Sequence, residues 1–315
     1  MTSAELPLVT IVTPVYNGEA YLEECLQSVL RQTWARWELV IVNNRSTDRT
    51  LEIAETFAAG DPRIRVMTNP EFVGVIQNHN IACRQLSATS RYLKVLQADD
   101  WLYPECLAEM IALAEAHPNV GIVGSYVLHG DRLACDGLPY PSPVVPGREI
   151  CRLNLLGLLY TFLAPTALLV RADIVRKRAE FYDEKHLYSD AQACYEILLE
   201  SDFGFVHKIL SFVRRQQESL TVSHLRRYNL IKLANLELLI RFGPTYLSPA
   251  EFASCLKRQM RRYYEALSNA LLGAADRGPI WAEHSRRMAA LGRPLSPVAL
   301  AGGLLRAVLA RVAKG

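Results

Sequence analysis

The chain has 315 residues, of which half are hydrophobic and 21% are charged, and its formal net charge is +3. This composition is that of a globular protein with a sizeable core, which excludes disorder as the default state. The small net charge gives no reason to expect a nucleic-acid partner, because such binding usually needs a strongly basic face. The seven scattered cysteines lack a CxxC pair, which argues against a disulfide framework or a zinc site and favours a reducing cytoplasm.

Short β-branched runs alternate with longer amphipathic segments in the first part of the chain. This alternation is typical of βαβ units around a mostly parallel sheet that is covered on both faces. Strands are predicted at residues 8–13, 37–43, 63–68, 91–98 and 120–128, and helices at residues 19–31, 51–59, 74–86 and 103–117. Ser46 or Thr47 is available to cap the second of these helices.

The rest of the chain is divided by changes in composition. Residues 130–147 are rich in Pro and Gly, which predicts a break, and the sequence becomes helical in its periodicity from about residue 226. Three parts are therefore expected, at residues 1–130, 131–225 and 226–315. The uncharged run at residues 153–170 is at the lower limit for a membrane span, and Pro165 within it favours a buried helix followed by a strand.

Polar residues gather in the loops that follow three of the predicted strands. In open α/β sheets, ligands bind beyond the carboxyl ends of the strands, so these loops are the first place to look for a site. The loops are Thr13-Pro14-Val15-Tyr16-Asn17, Asn43-Asn44-Arg45-Ser46-Thr47-Asp48 and Gln97-Ala98-Asp99-Asp100.

In this order the loops resemble the TPxYN-like opening, the DDGSTD-like loop and the DADD-like acidic motif of family 2 glycosyltransferases. Later pieces also match the family, namely FYDE at residues 181–184, Ser189-Asp190, and RRQQESLT at residues 214–221. The resemblance implies a GT-A fold, with a mostly parallel central sheet, followed here by a C-terminal helical region. It further implies inverting transfer of a sugar from a nucleotide-diphosphate sugar to a glycan or lipid-linked acceptor, with Mn²⁺ or Mg²⁺ as cofactor.

The resemblance assigns roles to the three parts of the chain. Residues 1–130 would bind the nucleotide sugar, and residues 131–225 would bind the acceptor and supply the catalytic base within the same domain. The residues implied in donor binding are Thr13, Pro14, Tyr16, Asn17, Asn43, Asn44, Ser46, Asn80, Gln97, Ala98, Asp99, Arg214 and Arg215.

Asp99 and Asp100 are the predicted metal ligands. Adjacent carboxylates at the end of an apolar strand suit hard cations, which prefer oxygen ligands and commonly bridge to phosphate. The alternative is that these residues cap the following helix, because Asp at a strand-to-helix turn satisfies exposed N–H groups.

The chain departs from the family pattern at several donor positions. Asn43 and Asn44 replace a pair of aspartates; an Asn carbonyl can accept the N3–H of uracil or thymine, which favours UDP or dTDP, or it can close an Asx turn. Gln97 replaces an Asp and can still bond a ribose hydroxyl. His79 occupies an Arg position and could contact a sugar or phosphate, although a helical His is more often packed or solvated.

Asp190 is the base that the resemblance implies for removing the proton of the acceptor hydroxyl. Capping of its own helix is the alternative, and Asp183, Glu184 and His186 are nearby rivals. Arg214 and Arg215 precede Gln216 and Gln217 in a segment that, in the family, closes over the diphosphate and often contributes a metal-binding His. Arg suits phosphate because its donors form a planar fork.

The two ends of the chain bear on its location. The N-terminus lacks the basic stretch and apolar run of a signal peptide, which favours the cytoplasm. After Glu283 there are six Lys or Arg residues and no acidic residue. That composition fits either a helix at the inner membrane face or a terminal helix that packs or forms oligomers.

Two other functions are alternatives to this one. The replacements at Asn43, Asn44 and Gln97 fit a non-catalytic nucleotide-sugar-binding protein on the same scaffold, although Asp99 and Asp190 are kept. A sugar nucleotidyltransferase would require a Gly-rich phosphate loop after the first strand, and TPVYNGEAY does not supply one.

Overall fold

The computed structural model of this chain describes residues 6–215 and 228–312. The predicted boundary between residues 225 and 226 lies outside those residues. What is described divides into two compact units. The first comprises residues 6–185 and Ser189–Arg215, and the second comprises His186–Tyr188 and residues 228–312.

The first unit is built around a ten-stranded sheet. Its strands are β1 (Val9–Val15), β2 (Trp37–Asn43), β3 (Ile64–Thr68), β4 (Tyr92–Val95), β5 (Trp101–Leu102), β6 (Val120–His129), β7 (Arg132–Ala134), β8 (Val144–Val145), β9 (Leu169–Arg171) and β10 (Asp202–Val213). The spatial order is β3-β2-β1-β4-β9-β6-β10-β5, with β7 paired to β6 and β8 paired to β10.

Parallel pairing dominates this sheet by length. The parallel pairs are β1–β2, β1–β4, β2–β3 and β6–β10, whereas the antiparallel pairs involve only two or three residues of each strand. All seven residues of β1 are buried, as expected for a strand with helices on both faces. The predicted α/β class with a mostly parallel central sheet is confirmed.

Helices cover this sheet. They are α1 (Leu22–Leu30), α2 (Thr50–Gly60), α3 (Val75–Cys83), α4 (Cys106–Ala116), α5 (Gly147–Leu156), α6 (Ala172–Arg176) and α7 (Ser189–Ile197). In α1, for example, Leu22, Leu26 and Val29 are buried, which is the predicted apolar face of that helix.

Several sequence predictions differ from the structure. Strand β4 ends at Val95 rather than at residue 98. The predicted cap of α2 is wrong, because the hydroxyls of Ser46 and Thr47 bind Asn17, and the N–H of Thr50 donates to Asp48 instead.

The uncharged run at residues 153–170 contains the end of α5 and not a long helix. A 3₁₀ turn follows at Pro165–Ala167, and then the short strand β9. Among the residues that the structure covers, none of the helices combines the length and apolar character that crossing a membrane demands.

The second unit is helical. It contains α8 (Ile231–Tyr246), α9 (Pro249–Gly273), α10 (Gly278–Ala290) and α11 (Pro297–Val312). Its core includes Tyr263, Tyr264 and Met288, and a capping box between Ser248 and Glu251 starts α9.

The seven cysteines are free thiols, and every one of them is buried. They occur in both units, six of them in helices and Cys135 in the bend after β7. Burial raises the pKa of Cys83 and of Cys135 to about 12. The thiols of Cys83 and Cys135 therefore stay protonated and unreactive in the folded chain.

Candidate active site

The loops after β1 and β2 are joined by hydrogen bonds at the carboxyl edge of the sheet. Asn17 has a positive φ of 50°, and its backbone N–H donates to Oγ of Ser46 over 2.9 Å. Its side-chain oxygen accepts the N–H of Thr47 over 2.8 Å. These bonds hold the two loops together, and the pair of loops is called the polar ledge.

The residues that precede this ledge are buried in the sheet. Thr13 and Pro14 pair with Ile41 and Val42 in the β1–β2 ladder, and both are buried. Tyr16 follows them and is 37% exposed, with its ring edge-on to Phe72 at a centroid distance of 4.8 Å. Of these predicted donor-binding residues, Tyr16 is thus the one whose side chain solvent reaches.

Asn43 and Asn44 are both buried, and their amide groups bind protein atoms. Oδ1 of Asn43 accepts the N–H of Ser46 over 3.0 Å, so its side chain bonds its own loop, but three residues on rather than the two of an Asx turn. Oδ1 of Asn44 accepts the N–H of Val73, and its Nδ2 donates to the Val73 carbonyl. Asn44 thereby fixes the segment that leads into α3, where Asn69 also donates to it.

Asp100 accepts two hydrogen bonds from distant parts of the chain. Its Oδ2 accepts from the hydroxyl of Thr166 over 2.6 Å, and its Oδ1 accepts from the backbone N–H of Arg214 over 2.9 Å. Burial raises the pKa of Asp100, and the neighbouring charge of Asp99 raises it further. The two hydrogen bonds thus hold the Asp100 carboxyl in place, but they do not fully offset the cost of its negative charge.

Asp99 lies beside it in the loop between β4 and β5, and it is half-buried. Burial raises the pKa of Asp99, while the charge of Arg214 acts in the opposite direction. Neither Asp caps a helix, because α4 starts only at Cys106. Two adjacent carboxylates that are costly to ionise fit a divalent cation, which would offset both charges.

Other metal ligands are not gathered around this pair. Within residues 6–215 and 228–312, His, Cys, Asp and Glu nowhere form a group of three or more that could hold a metal ion. A cation at Asp99 and Asp100 would therefore need oxygen ligands from a substrate phosphate and from water, as is usual for Mg²⁺ sites. Gln216 and Gln217, at the family's His position, lie outside the described residues.

Arg214 links the acidic loop to α1. Its Nε donates to the carbonyl oxygen of Asp99 over 3.0 Å, and its Nη2 contacts Glu24 at 2.7 Å. The guanidinium lies 4.2 Å from the centroid of the Tyr21 ring. Arg215 is placed differently: its side chain forms an exposed ion pair with Asp131 at 3.3 Å.

Gln97 contacts His79 of α3, with 3.3 Å between the Gln97 amide oxygen and Nε2 of the ring. Nδ1 of His79 is 2.8 Å from the Val75 carbonyl and so carries the proton. Burial lowers the pKa of His79, so the ring is neutral and its Nε2 is an acceptor. The Gln97 amide then pairs with it when its NH₂ group faces the ring, which turns its oxygen away from His79.

Asp190 is the second residue of α7, and its Oδ1 accepts the N–H of Ala191 over 2.8 Å. Burial raises the pKa of Asp190. Burial also raises the pKa values of Tyr182 and Cys194, and the charge of Asp190 raises both further. The carboxyl thus lies near these two side chains. Asp190 thus lies inside the first turn of its helix rather than at the N-cap, and its role as the base stays a prediction.

The segment that leads to Asp190 is clamped by Asn80. Nδ2 of Asn80 donates to the carbonyl of Tyr182, and its Oδ1 accepts the Tyr182 N–H, each over 2.8 Å. Asn80 is 1% exposed. Its amide therefore orders the protein backbone in this structure.

The rivals of Asp190 have different surroundings. Oδ1 of Asp183 accepts the N–H of Lys185, and its Oδ2 contacts Gln192 at 3.4 Å. Glu184 is exposed. His186 belongs to the second unit, where its Nε2 lies 4.0 Å from Glu237.

Two residues at the site were missed by the sequence reasoning. Thr166 bonds both Asp100 and the backbone N–H of Gln97, yet it lies 66 residues from the acidic loop and has no motif of its own. Phe72 is 57% exposed beside Tyr16, and a single aromatic residue in a loop gives little sequence signal.

Comparison with known proteins decides the family. The profile described as "Glycosyl transferase family 2" matches residues 10–178, which is more than half of the chain. The chain belongs to glycosyltransferase family 2. A Haemophilus influenzae protein described as an uncharacterized glycosyltransferase is 25% identical over 192 residues, which is 58% of this family 2 chain and 58% of that relative. The matched part therefore spans little more than half of the relative's length.

Solved structures match the fold of this family 2 chain. S. aureus TarS 1-349 in complex with UDP-GlcNAc has a TM-score of 0.65 at 17% identity, covering 91% of this chain and 82% of TarS. The mannosyltransferase PcManGT from Pyrobaculum calidifontis, in complex with GDP-Man and Mn²⁺, has a TM-score of 0.58 at 17% identity, covering 98% and 87% of the two chains. The predicted GT-A-type fold is confirmed.

Proposed function

We propose that this chain is a divalent-metal-dependent glycosyltransferase that moves a sugar, with inversion, from a nucleotide-diphosphate sugar to a glycan or lipid-linked acceptor. The observation that carries the proposal is the pair Asp99 and Asp100. The two carboxylates follow β4, which is parallel to β1, and β1 is parallel to β2. The loops after these three strands therefore lie at the same edge of the sheet, where those after β1 and β2 are joined by hydrogen bonds. Ligands of open α/β sheets bind at this edge.

The acidic pair is proposed to hold Mn²⁺ or Mg²⁺. Both oxygens of Asp100 already accept hydrogen bonds from the protein, so Asp99 is the more direct ligand and Asp100 adds charge behind it. When bound, the cation supplies a Lewis acid that offsets the charge developing on the departing nucleoside diphosphate. The Mn²⁺ named with the PcManGT structure supports this choice of cation.

The donor is proposed to lie over the ledge formed by the first two loops. Tyr16 offers an exposed ring for the base. The side-chain oxygen of Gln97, which would point away from His79 once its NH₂ group faces Nε2 of the ring, is proposed to accept from a ribose hydroxyl. Arg214 lies next to the acidic pair and is proposed to bind the diphosphate. Its guanidinium would then give up its contact with Glu24 and bind the phosphate oxygens instead. UDP or dTDP is the proposed nucleotide, and the UDP-GlcNAc bound by TarS is consistent with UDP.

Asp190 is proposed to take the proton from the acceptor hydroxyl, which then attacks the anomeric carbon opposite the leaving diphosphate. Its raised pKa suits a base, because a carboxylate that is costly to keep charged accepts a proton readily. A single direct displacement inverts the anomeric centre. The proposed location is the cytoplasm.

Calorimetric titration tests the donor site without requiring the acceptor. The protein is titrated with UDP, dTDP, GDP and CDP, each with and without Mn²⁺. We expect one of these nucleotides to bind about tenfold or more tightly with Mn²⁺, since the cation bridges carboxylate and phosphate. Asp99→Ala should abolish that gain, whereas the exposed Asp136→Asn should keep it. No binding of any nucleotide would contradict the proposal, and binding without sugar transfer would favour a non-catalytic binding protein.

A further inference from the structure

The described residues on the outward face of helix α11 are apolar and exposed. Val298 is 82% exposed, Leu305 is 62% exposed and Leu309 is 58% exposed, and Ala301 between them is exposed as well. Their spacing of three or four residues places all of them on one face of the helix. These four residues are called the outer stripe.

The opposite face of α11 is fixed against α9. Gly303 approaches so closely that an added Cβ would lie 2.8 Å from the Tyr264 carbonyl oxygen and 2.5 Å from Oγ of Ser268. The Tyr264 hydroxyl accepts the N–H of Ser296 just before the helix, over 2.8 Å. The helix therefore cannot turn its outer stripe inward without losing this close packing.

Positive charge is concentrated in the same part of the chain. Residues 216–315 contain 15 Lys and Arg against 6 Asp and Glu, whereas residues 1–215 contain 20 against 26. Arg306 lies next to the outer stripe on α11 and reaches Glu265 at 2.9 Å. No acidic residue follows Glu283 in the sequence.

We propose that the outer stripe of α11 inserts into the headgroup layer of a bilayer that contains anionic lipid, with the helix lying in the plane of the membrane. Such helices combine an exposed apolar face with basic residues, and both their apolar area and their charge contribute to binding. A second copy of this chain is a poorer occupant, because it would bring an equally positive segment against the first.

This proposal does not depend on the sugar-transfer reaction. The face that binds lipid is made by α11 alone, and neither Asp99 nor Asp190 takes part in it. Lipid binding can therefore fail while nucleotide binding holds, and the reverse is equally possible.

Vesicle flotation of the full-length protein tests it. We expect the protein to float with vesicles of phosphatidylcholine and phosphatidylglycerol, and to float much less with phosphatidylcholine alone. The double variant Leu305→Ser/Leu309→Ser should bind the anionic vesicles at least about tenfold more weakly, because two apolar side chains no longer leave water. The control is Leu133→Ser, which changes a leucine that is 48% exposed in the first unit and should leave binding unchanged.

Since Leu305 and Leu309 are exposed, the double variant should unfold at the same temperature as the parent chain, and this is measured alongside. Equal flotation of the parent chain and the double variant would overturn the proposal. So would the absence of flotation together with a dimer in sedimentation equilibrium that the double variant abolishes, since that outcome assigns the outer stripe to self-association.

Discussion

The hydroxyl of Thr166 donates to Asp100 over 2.6 Å and accepts the backbone N–H of Gln97 over 3.1 Å. One side chain from the turn before β9 thus fixes both ends of the acidic loop. We predict that Thr166→Val, which keeps the shape and removes the hydroxyl, lowers the free energy of unfolding by about 1–3 kcal/mol. It should also weaken Mn²⁺-dependent nucleotide binding, because Asp100 loses a donor that favours its charged form.

Chemical denaturation and calorimetry measure these two effects of Thr166→Val. The matched control is Thr166→Ser, which keeps the hydroxyl and should stay close to the parent chain in nucleotide affinity. A valine variant with unchanged metal-dependent affinity would show that the acidic loop does not need this anchor.

Asp190 should impose a pH dependence on sugar transfer. Because burial raises the pKa of Asp190, we predict that the acidic limb of the kcat/KM profile lies above the ordinary carboxyl value of about 4. Asp190→Asn should lose transfer while it keeps nucleotide affinity. Asp183→Asn is the control that should retain most of the activity, and an active Asp190→Asn protein would remove this residue from the role of base.

The same carboxyl affects stability in a direction that can be checked. Its pKa is higher in the folded than in the unfolded chain, so the folded state binds the proton more tightly and loses stability as pH rises through the interval between the two values. The free energy of unfolding of Asp190→Asn, relative to the parent chain, should therefore increase as the pH rises above about 4, the ordinary carboxyl value. Urea titrations at several pH values measure it, and a difference that does not change with pH would argue against the raised pKa.

Asn80 should affect turnover more than donor binding. Its amide makes two 2.8 Å hydrogen bonds to the backbone of Tyr182, ahead of the helix that carries Asp190. Asn80→Ala leaves the buried N–H and carbonyl of Tyr182 without these bonds, which should cost about 2–4 kcal/mol of stability. We expect kcat to fall while the nucleotide Kd changes little; if the Kd rises in proportion instead, Asn80 contacts the donor directly.

His79 should act on the donor through Gln97. We predict that His79→Phe, which fills the same buried space without an acceptor, weakens nucleotide binding several-fold because the Gln97 amide loses its partner. His79→Gln can restore an acceptor and should recover part of the affinity. Calorimetric Kd values for both variants decide the matter, and equal losses in the two would assign His79 a packing role alone.

The sequence was sufficient to predict the strands of the nucleotide-binding half but not the strands that complete the sheet. Buried parallel strands such as β1 and β2 are continuous apolar runs, so their signal is local. By contrast, β9 has three residues and is held by the pairing of Val170 with Leu93 and Ile122. Contacts between residues so far apart in the sequence leave no periodic pattern in a three-residue segment.

The same distinction applies to the site. The loops that hold Asn17 and Asp99 could be predicted because they directly follow recognisable strands. Whether the amide of Asn44 faces a ligand or the backbone could not, since this depends on Val73, which lies 29 residues away. The residue type indicates what a side chain can bond, and only the fold decides which partner it meets.

Because all seven thiols are buried, the folded native chain should react only slowly with thiol reagents. A cysteine placed by mutagenesis on the surface, for instance at an exposed position of α11, would be the fast-reacting thiol of the folded protein. Fluorophores or spin labels could then be attached at one chosen point without first removing the native cysteines. The rate at which the parent chain is slowly labelled would itself report how often the protein opens and exposes its buried thiols.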